Sequence, residues 1–225
     1  MRLTVFLLVL SIKSLGFVWL FLPYKSIKIT QVRSDNSKIK EIFKDIVFTD
    51  AEIEIITSVF HKRIVKKGSV LLNAGDSVNV QYYILEGCLR SFYIDPKGKE
   101  FTVQFGIKDW WMSDYTAFFS SSKAIMNIEV IQDAILYQIT ESDKEYLYEK
   151  IPKIEHFFRV KLEKAFAAFQ KRILAGISQP AKERYLTFVK TYPNIERSVK
   201  NYHIASYLGI TTESLSRIRK ELSLS

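Results

Sequence analysis

Near the C-terminus, hydrogen-bonding side chains recur at the spacing of one helix face. They are Thr212, Glu213, Ser216, Arg217 and Lys220. An arginine can donate two parallel hydrogen bonds to guanine O6 and N7, and a glutamate can accept one from cytosine N4. The alternative is a surface ion pair between Glu213 and Arg217, four residues apart, worth about 0.3–0.5 kcal/mol. This face therefore offers hydrogen bonding and charge rather than covalent catalysis.

The segment that carries this face, residues 201–220, fits the twenty-residue helix-turn-helix pattern at seven constrained positions. Ile204 is apolar at the fourth place, Ala205 is small at the fifth, and Gly209 occupies the turn, where positive φ is favoured. The remaining apolar places are filled by Leu208, Ile210, Leu215 and Ile218. We expect the second helix to begin after Thr211, a good N-cap. Each helix alone is too short to be stable, so the pattern predicts a packed pair.

Positive charge is concentrated in the last third of the chain. Residues 1–150 carry 19 Lys and Arg against 18 Asp and Glu, whereas residues 151–225 carry 14 against 6. The apolar fraction of 48% and aromatic fraction of 14% indicate a folded core. The excess of positive charge in residues 151–225 favours a polyanionic partner for the C-terminal part.

An enzyme is the main alternative class. His61, His156 and His203 are widely separated, and the chain has no phosphate loop, nucleophile elbow or metal-binding motif. We therefore expect no catalytic residue, metal or cofactor, and a surface or backbone-contact role for His203. The single cysteine, Cys88, excludes an internal disulfide and a cysteine-ligated iron–sulfur cluster. It is either a small core side chain or a redox-sensitive thiol.

The first half of the chain predicts helices followed by short antiparallel strands. Residues 37–60 have helical apolar spacing, and Thr49 with Glu52 fits a capping box that starts a second short helix. From Arg63 to Ile139, runs of Val, Ile, Tyr and Phe alternate with glycine-containing turns, which predicts a sandwich or roll. The clearest hairpin joins residues 89–94 to residues 100–105.

The segment VKKGSVLLNAGDSVNVQYYILEGCLRSFYIDPKGKEFTVQF, together with TTESLSRI near the C-terminus, resembles the Crp/Fnr family of transcription regulators. The resemblance covers residues 38–222. It implies a β-roll sensor, a homodimer, a pseudo-palindromic double-stranded DNA site, a small-molecule effector, and RNA polymerase as a further partner. The base-reading residues carried over by position, or lying on the same outward face, are Thr212, Glu213, Ser216 and Arg217. The candidates for DNA phosphate contacts are Arg197, Lys200, Thr211, Arg219 and Lys220.

The stretch IKDWWMSDYTAFFSSSKAIMNIEV departs from the family's cyclic-nucleotide cassette. It lacks the Gly-Glu pair for the ribose and the arginine for the cyclic phosphate. A buried phosphodiester without a guanidinium loses its strongest charge-assisted hydrogen bonds, so we expect no cAMP binding of the usual kind. Trp110, Trp111 and Met112 either line an apolar effector pocket or fill the core.

A long apolar helix is predicted from Pro152 to Ile177. Its apolar residues step by three or four positions, and further apolar residues lie on neighbouring faces. A helix of this kind must be covered on more than one side. We expect it to pack on its own roll and against its twin in a dimer, although a buried helix in a monomer would show the same pattern.

Residues 3–22 form an apolar run long enough to span a bilayer, followed by several lysines and arginines. Lys13 within it costs about 2.5–3.5 kcal/mol for insertion. Either the run is an inner-membrane anchor, with the rest of the chain held in the cytoplasm, or residues 1–30 reflect a mis-assigned start, which we rank first. In both cases we expect a cytoplasmic regulator.

The expected fold class is α+β, with an antiparallel jelly-roll-like β-roll, a long dimerisation helix and a small all-α helix-turn-helix domain lacking a C-terminal wing. The expected boundaries are 1–30 for the hydrophobic segment, 34–150 for the roll, 151–177 for the helix and 178–225 for the DNA-binding domain. The alternative function is a roll that binds a ligand or partner, with or without a membrane anchor, and does not read DNA sequence.

Overall fold

The fold was analysed in a computed structural model, which describes residues 36–193, 195–196 and 198–224. The apolar run at 3–22 lies outside these residues, as do Arg197 and the final residue. Within the described part of the chain, no helix is both long enough and apolar enough to cross a membrane.

Helices flank a sheet of antiparallel strands and then continue alone to the C-terminus, as expected for the α+β class. The elements in chain order are α1 (Asn36–Ile42), α2 (Asp50–Val59), β1 (His61–Val65), β2 (Val70–Leu72), β3 (Val80–Ile94), β4 (Glu100–Gly106), β5 (Trp111–Met112), α3 (Tyr115–Phe118), β6 (Asn127–Thr140), α4 (Glu141–Lys150), α5 (Pro152–Ser178), α6 (Ala181–Thr191), α7 (Asn201–Leu208) and α8 (Thr212–Ser223).

The six strands form one antiparallel sheet, which we call the roll. The strand order is β1-β6-β3-β4, with β2 also paired to β6 and β5 to β3. Strand β4 therefore lies at an edge. The predicted hairpin is confirmed, because Leu89 pairs with Gly106 and Ile94 with Glu100. Its turn is closed by Asp95, whose carboxylate accepts hydrogen bonds from the amides of Lys97 and Lys99.

Alternation along β3 directs its side chains into two separate clusters. Tyr83 and Leu85 face the first cluster, which includes residues of α1, α2 and the start of α5. Tyr82 and Ile84 face the interior of the roll. The predicted capping box is confirmed: Thr49 accepts from the amide of Glu52, and Glu52 accepts from the amide of Thr49. It fixes the start of α2 against the first cluster.

Helix α5 begins at Pro152, which is tolerated at the first helical position because its missing N–H would have no intrahelical partner. It ends one residue beyond the predicted boundary. Its first two turns are buried through Ile154, Phe157 and Phe158. The rest carries an exposed apolar stripe, which consists of Leu162, Phe166, Phe169, Ile173, Leu174 and Ile177. The helix therefore buries its apolar residues against its own roll only in its first two turns.

The third cluster joins the roll to the C-terminal helical unit, which we define as α6 to α8. It contains Cys88, Phe105 and Ile131 from the roll, together with residues such as Phe188 and Ile204 from the helices. The two predicted domains thus share a continuous apolar core. Burial raises the pKa of the Cys88 thiol to about 12, which favours its reading as a core side chain.

Candidate nucleic-acid interface

The helix-turn-helix is formed by α7 and α8. Gly209 ends α7 with φ of +66°, a left-handed conformation that favours glycine. The amide of Ile210 then donates to the carbonyl of Ala205 at 3.0 Å, which closes the turn. Ile204, Leu215 and the other predicted apolar positions contribute to one cluster. The packing expected from the sequence pattern is therefore present.

Helix α8 is capped by the residue predicted for that role. The Thr211 side chain accepts a hydrogen bond from the amide of Ser214 at 3.2 Å. This bond satisfies one of the helix-terminal amides and fixes the direction in which α8 leaves the turn. The hydroxyl of Thr211 is consequently engaged within the protein, although the residue remains exposed.

The outward face of α8 brings the predicted base-reading residues together. One shallow, open surface is lined by Thr212, Glu213, Ser216, Arg217 and Lys220. All five are exposed. The apolar residues of α8, Leu215 and Ile218, point to the opposite side and are buried. Helix α8 therefore presents a continuous polar face to solvent, anchored from behind.

Glu213 and Arg217 do not form the surface ion pair considered above. Among the ion pairs of the described residues, none joins them; Glu213 instead accepts from the hydroxyl of Thr212 at 3.1 Å. Its own backbone amide, followed by the hydroxyls of Thr211 and Thr212, lowers the pKa of Glu213, so the carboxylate is ionised at neutral pH. Arg217 Nη2 lies 3.5 Å from Ser214 Oγ, at the limit of a hydrogen bond. Both charged groups can thus take an external partner.

The candidate phosphate-binding residues differ in their surroundings. Lys200 and Lys220 are exposed, and Lys220 lies on the polar face of α8. Arg219, in contrast, donates to Tyr185 Oη at 3.1 Å and Asn201 Oδ1 at 2.7 Å, and its Nε lies 3.2 Å from a Glu196 carboxylate oxygen. Its guanidinium holds α6, α7 and α8 together, and its phosphate contact stays a prediction, as does that of Arg197, which is not described.

His203 is buried rather than exposed, so the expected surface or backbone-contact role in the motif is wrong. Only 5% of the residue is accessible, and its ring lies against Arg90 of β3. Arg90 itself is 1% exposed. Sequence reasoning missed this contact. The one available sign was a polar residue on the otherwise apolar face of α7.

The three candidates for an effector pocket point in different directions. Met112 lies in the roll interior, and Trp111 packs against Tyr83 and Phe158 in the first cluster. Trp110 contacts Tyr192, the residue directly after α6, with ring centroids 5.5 Å apart. This arrangement favours the core-filling alternative. Their role in an effector pocket stays a prediction.

Residues of β2, of the connection between β2 and β3, and of the start of β3 line a half-open cavity of about 380 Å³. Its lining includes Asp76, Asn79, Tyr82 and Ser113, and no lysine or arginine is among the residues that line it. The cavity is thus large enough for a small molecule but lacks a cation to pair with a phosphate.

Next to this cavity, the carboxylate of Asp114 is fully buried and surrounded by donors. It accepts hydrogen bonds from the amides of Thr116 and Ala117, and from those of Ile125 at 2.8 Å and Met126 at 3.0 Å. Burial by itself raises the pKa of Asp114, but these bonds and the Thr116 hydroxyl outweigh it and lower the pKa. The loop amides are therefore already paired with an anion that the chain supplies.

Comparison with known proteins agrees with this architecture. Residues 62–150 match the family model of the cyclic nucleotide-binding domain. The chain is 22% identical over 201 residues to the anaerobic regulatory protein of Haemophilus influenzae, covering 83% of this chain and 77% of that protein. It is 22% identical over 205 residues to the regulatory protein HlyX of Actinobacillus pleuropneumoniae, covering 83% and 82%.

Solved structures share the fold. FixK2 from Bradyrhizobium japonicum superposes with a TM-score of 0.64 at 17% identity, covering 74% of this chain and 85% of that one. The c-di-GMP-responsive regulator CLP of Xanthomonas campestris gives a TM-score of 0.63 at 15% identity, covering 78% and 92%. The roll is thus a domain of the cyclic nucleotide-binding type, and the combination of roll, long helix and helix-turn-helix is similar to that of the Crp/Fnr family of bacterial transcription regulators.

Proposed function

We propose that this protein is a homodimeric transcription regulator that reads a pseudo-palindromic DNA sequence with helix α8. The observation that carries the proposal is the exposed polar face of α8, with Thr212, Glu213, Ser216 and Arg217 side by side on a complete helix-turn-helix. A helix of this width enters the major groove, where base edges present a distinct pattern of donors and acceptors.

Each polar residue of this face has a chemical role on DNA. Arg217, held only weakly by Ser214, is free to donate two hydrogen bonds to guanine. The ionised Glu213 accepts from cytosine N4, while Thr212 and Ser216 make smaller contacts. Lys200 and Lys220 supply charge for the phosphates, which positions the protein without choosing a sequence. Thr211, at the helix N-terminus, lies where a phosphate is favoured.

The apolar stripe of α5 supports a dimer. Phe166 is 61% exposed and Ile177 is 80% exposed, and the stripe extends over four turns beyond the buried start of the helix. Contiguous exposed apolar surface of this kind is typical of an interface. Two chains paired along α5 would place their α8 helices in successive major grooves, about 34 Å apart.

The roll is proposed to respond to an effector other than a cyclic nucleotide bound in the family's usual way. A phosphate at the loop amides would meet the carboxylate of Asp114, which already holds them. The neighbouring cavity contributes a further carboxylate, Asp76, and no cation among its lining residues. That the protein also contacts RNA polymerase is proposed from the family resemblance alone.

Selection of bound sequences from random duplex DNA tests the DNA-reading role with the full chain, its Arg217→Ala variant and a Lys67→Ala control. The control removes one positive charge from an exposed turn of the roll. We expect a palindromic site from the wild type and the control. With Arg217→Ala, one base in each half-site should no longer be specified, which corresponds to a loss of about 1–3 kcal/mol of binding free energy for each half-site. No enrichment by the wild type, with and without cell extract as a source of effector, would contradict the proposal and favour a roll that binds a ligand or protein partner instead.

The dimer is tested by sedimentation of the full chain and two variants of α5. Phe166→Glu places a charge in the apolar stripe, and Lys171→Glu makes a comparable change on an exposed position of the same helix. We expect Phe166→Glu to sediment as a monomer at concentrations where the wild type and Lys171→Glu are dimers. A wild type that is monomeric at these concentrations would exclude the dimer.

A further inference from the structure

Helix α7 lies along the exposed edge of the sheet. The hydroxyl of Ser206 accepts a hydrogen bond from the amide of Thr102 at 2.8 Å and donates one to the carbonyl of Glu100 at 2.9 Å. Both backbone groups belong to β4, the edge strand of the roll. One serine side chain thus satisfies two edge groups that would otherwise face water or another strand.

Beside this serine, a buried charge cluster joins the same two elements. Arg90 contacts Glu100, Glu129, Thr102 and His203, and its guanidinium lies 4.0 Å from the ring centroid of Phe92. Because Arg90 donates to Nδ1 of His203, the ring is neutral and carries its proton on Nε2, toward Glu129. His203 belongs to α7, so the C-terminal helical unit supplies one hydrogen-bond acceptor for the roll's buried arginine.

An aromatic cluster completes the contact. The ring centroid of Phe105 in β4 lies 5.9 Å from that of Tyr192 and 5.5 Å from that of Tyr207. Arg172 of α5 donates to the carbonyl of Val103 and lies over the Tyr207 ring at 5.0 Å. We call the whole contact the docking interface: Ser206 on the edge of β4, the Arg90 cluster and the Phe105 cluster.

The covalent connection between α5 and the C-terminal helical unit is short. Helix α5 ends at Ser178 and α6 begins at Ala181, so only Gln179 and Pro180 lie between them. Without the docking interface, these two residues would be the joint about which α8 turns relative to α5. The docking interface leaves the polar face of α8 exposed, so it orients that face without covering it.

We propose that the docking interface holds the two α8 helices of the dimer at one separation and angle, and that Ser206 is a positioning residue that sets the half-site spacing the dimer accepts. This inference rests on the proposed DNA-reading dimer. One base pair added between half-sites moves them apart by about 3.4 Å and rotates them by about 35°. A docked unit cannot follow that rotation, whereas a released unit can turn at Gln179 and Pro180.

The test uses the full chain with Ser206→Ala, which removes both hydrogen bonds, and Ser206→Glu, which directs a carboxylate at the Glu100 carbonyl. Ser223→Glu adds the same charge at an exposed position near the end of α8 and serves as the control. Each protein is titrated against its selected palindrome and against versions with one or two base pairs added or removed at the centre. Amide hydrogen exchange of residues 100–106 is followed in parallel, without DNA.

We expect the wild type and Ser223→Glu to lose about tenfold or more in affinity for a spacing changed by one base pair. The Ser206 variants should lose markedly less, while keeping wild-type affinity for an isolated half-site. Exchange of the β4 edge amide should rise about tenfold in these variants, because Thr102 loses its acceptor. Faster exchange with an unchanged spacing profile would overturn the inference, and so would unchanged exchange. Failure of the wild type to bind any DNA would instead overturn the proposed function, and the exchange result would still report on the docking interface.

Discussion

Arg90 and Glu129 stand directly opposite each other on β3 and β6, with Arg90 Nε 2.6 Å from Glu129 Oε1. The contact is a close ion pair rather than an aligned hydrogen bond, because neither Arg90 Nε nor Glu129 Oε1 forms a hydrogen bond despite the short distance. Glu100 binds the same guanidinium from the opposing hairpin strand. The roll therefore buries one cation between two carboxylates at the surface where α7 packs.

Removing only the cation should be costly. Arg90→Met leaves Glu129 and Glu100 facing each other without a counter-charge, and we expect the free energy of unfolding to fall by about 3 kcal/mol. The double variant Arg90→Met with Glu129→Leu removes one of those carboxylates, so it should regain part of the loss. Urea denaturation of the wild type, the two single variants and the double variant measures the coupling free energy between Arg90 and Glu129. A double variant less stable than the single one would contradict this account.

His203 should make stability depend on pH in a defined range. Its burial, followed by the nearby Arg90 and Lys200, lowers the pKa of His203 to about 4, with Glu100 acting in the opposite direction. The unfolded value is about 6.5, so the unfolded chain binds a proton first as the pH falls. The stability that neutral His203 contributes to the folded state is therefore fully present above about pH 6.5. It is lost as the pH falls from about 6.5 to about 4, and the total loss is about 3 kcal/mol at most.

The measurement is the free energy of unfolding of the wild type and His203→Gln across this pH range. Glutamine does not titrate in this range. The difference in free energy of unfolding between the two proteins should therefore change by up to about 3 kcal/mol, in favour of the variant, as the pH is lowered. The carboxylates facing His203, Glu129 and Glu100, are common to both proteins and cancel. A difference independent of pH would mean that His203 is not held neutral.

Asp114 should be essential to the fold of the loop that follows β5. Asp114→Ala leaves the amides of Ala117, Ile125 and Met126 without their buried acceptor, and we expect a loss of about 3 kcal/mol in the free energy of unfolding. Asp133→Ala is the control, since that exposed carboxylate pairs with Lys66 and accepts from the amide of Lys67 at the surface, where water replaces these contacts, so its loss should cost much less. Chemical denaturation at neutral pH compares them. Equal losses would contradict a special role for the buried carboxylate.

How far the sequence predicts the molecule depends on the range of each interaction. The helix-turn-helix, the Thr49 capping box and the hairpin closed by Asp95 depend on neighbours a few residues apart, and all three are confirmed. The contact of Arg90 with His203 joins residues 113 positions apart, which no local pattern encodes.

The same distinction explains the candidate site. The outward residues of α8 follow from helical periodicity, and the structure places them on one surface. For Arg219, the sequence predicts a phosphate contact but cannot reveal that Tyr185 and Glu196, which lie outside α8, contact its guanidinium. Trp110 and Trp111 are adjacent in sequence yet pack in different clusters, because Tyr192, directly after α6, covers one and Phe158 of α5 covers the other.

Two glycines of the roll provide a matched pair for the last prediction. Gly87 has φ of +95° and Gly98 has φ of +80°, both in the region where a Cβ is unfavourable. A Cβ on Gly87 would clash with the carbonyl oxygen of Asp133 and lie 2.7 Å from Cα of Ala134, whereas a Cβ on Gly98 would meet no atom within 4 Å.

Gly98→Ala should therefore cost only the backbone strain of a left-handed residue, about 1–2 kcal/mol. Gly87→Ala adds a clash with backbone atoms of β6 that cannot move without disturbing the β3–β6 pairing, and should cost about 4 kcal/mol or more. Thermal and urea unfolding of the two variants compares the losses. Equal destabilisation would show that the β3–β6 pair yields at Gly87, whereas the expected large difference would mean that the close approach of the two strands there is rigid.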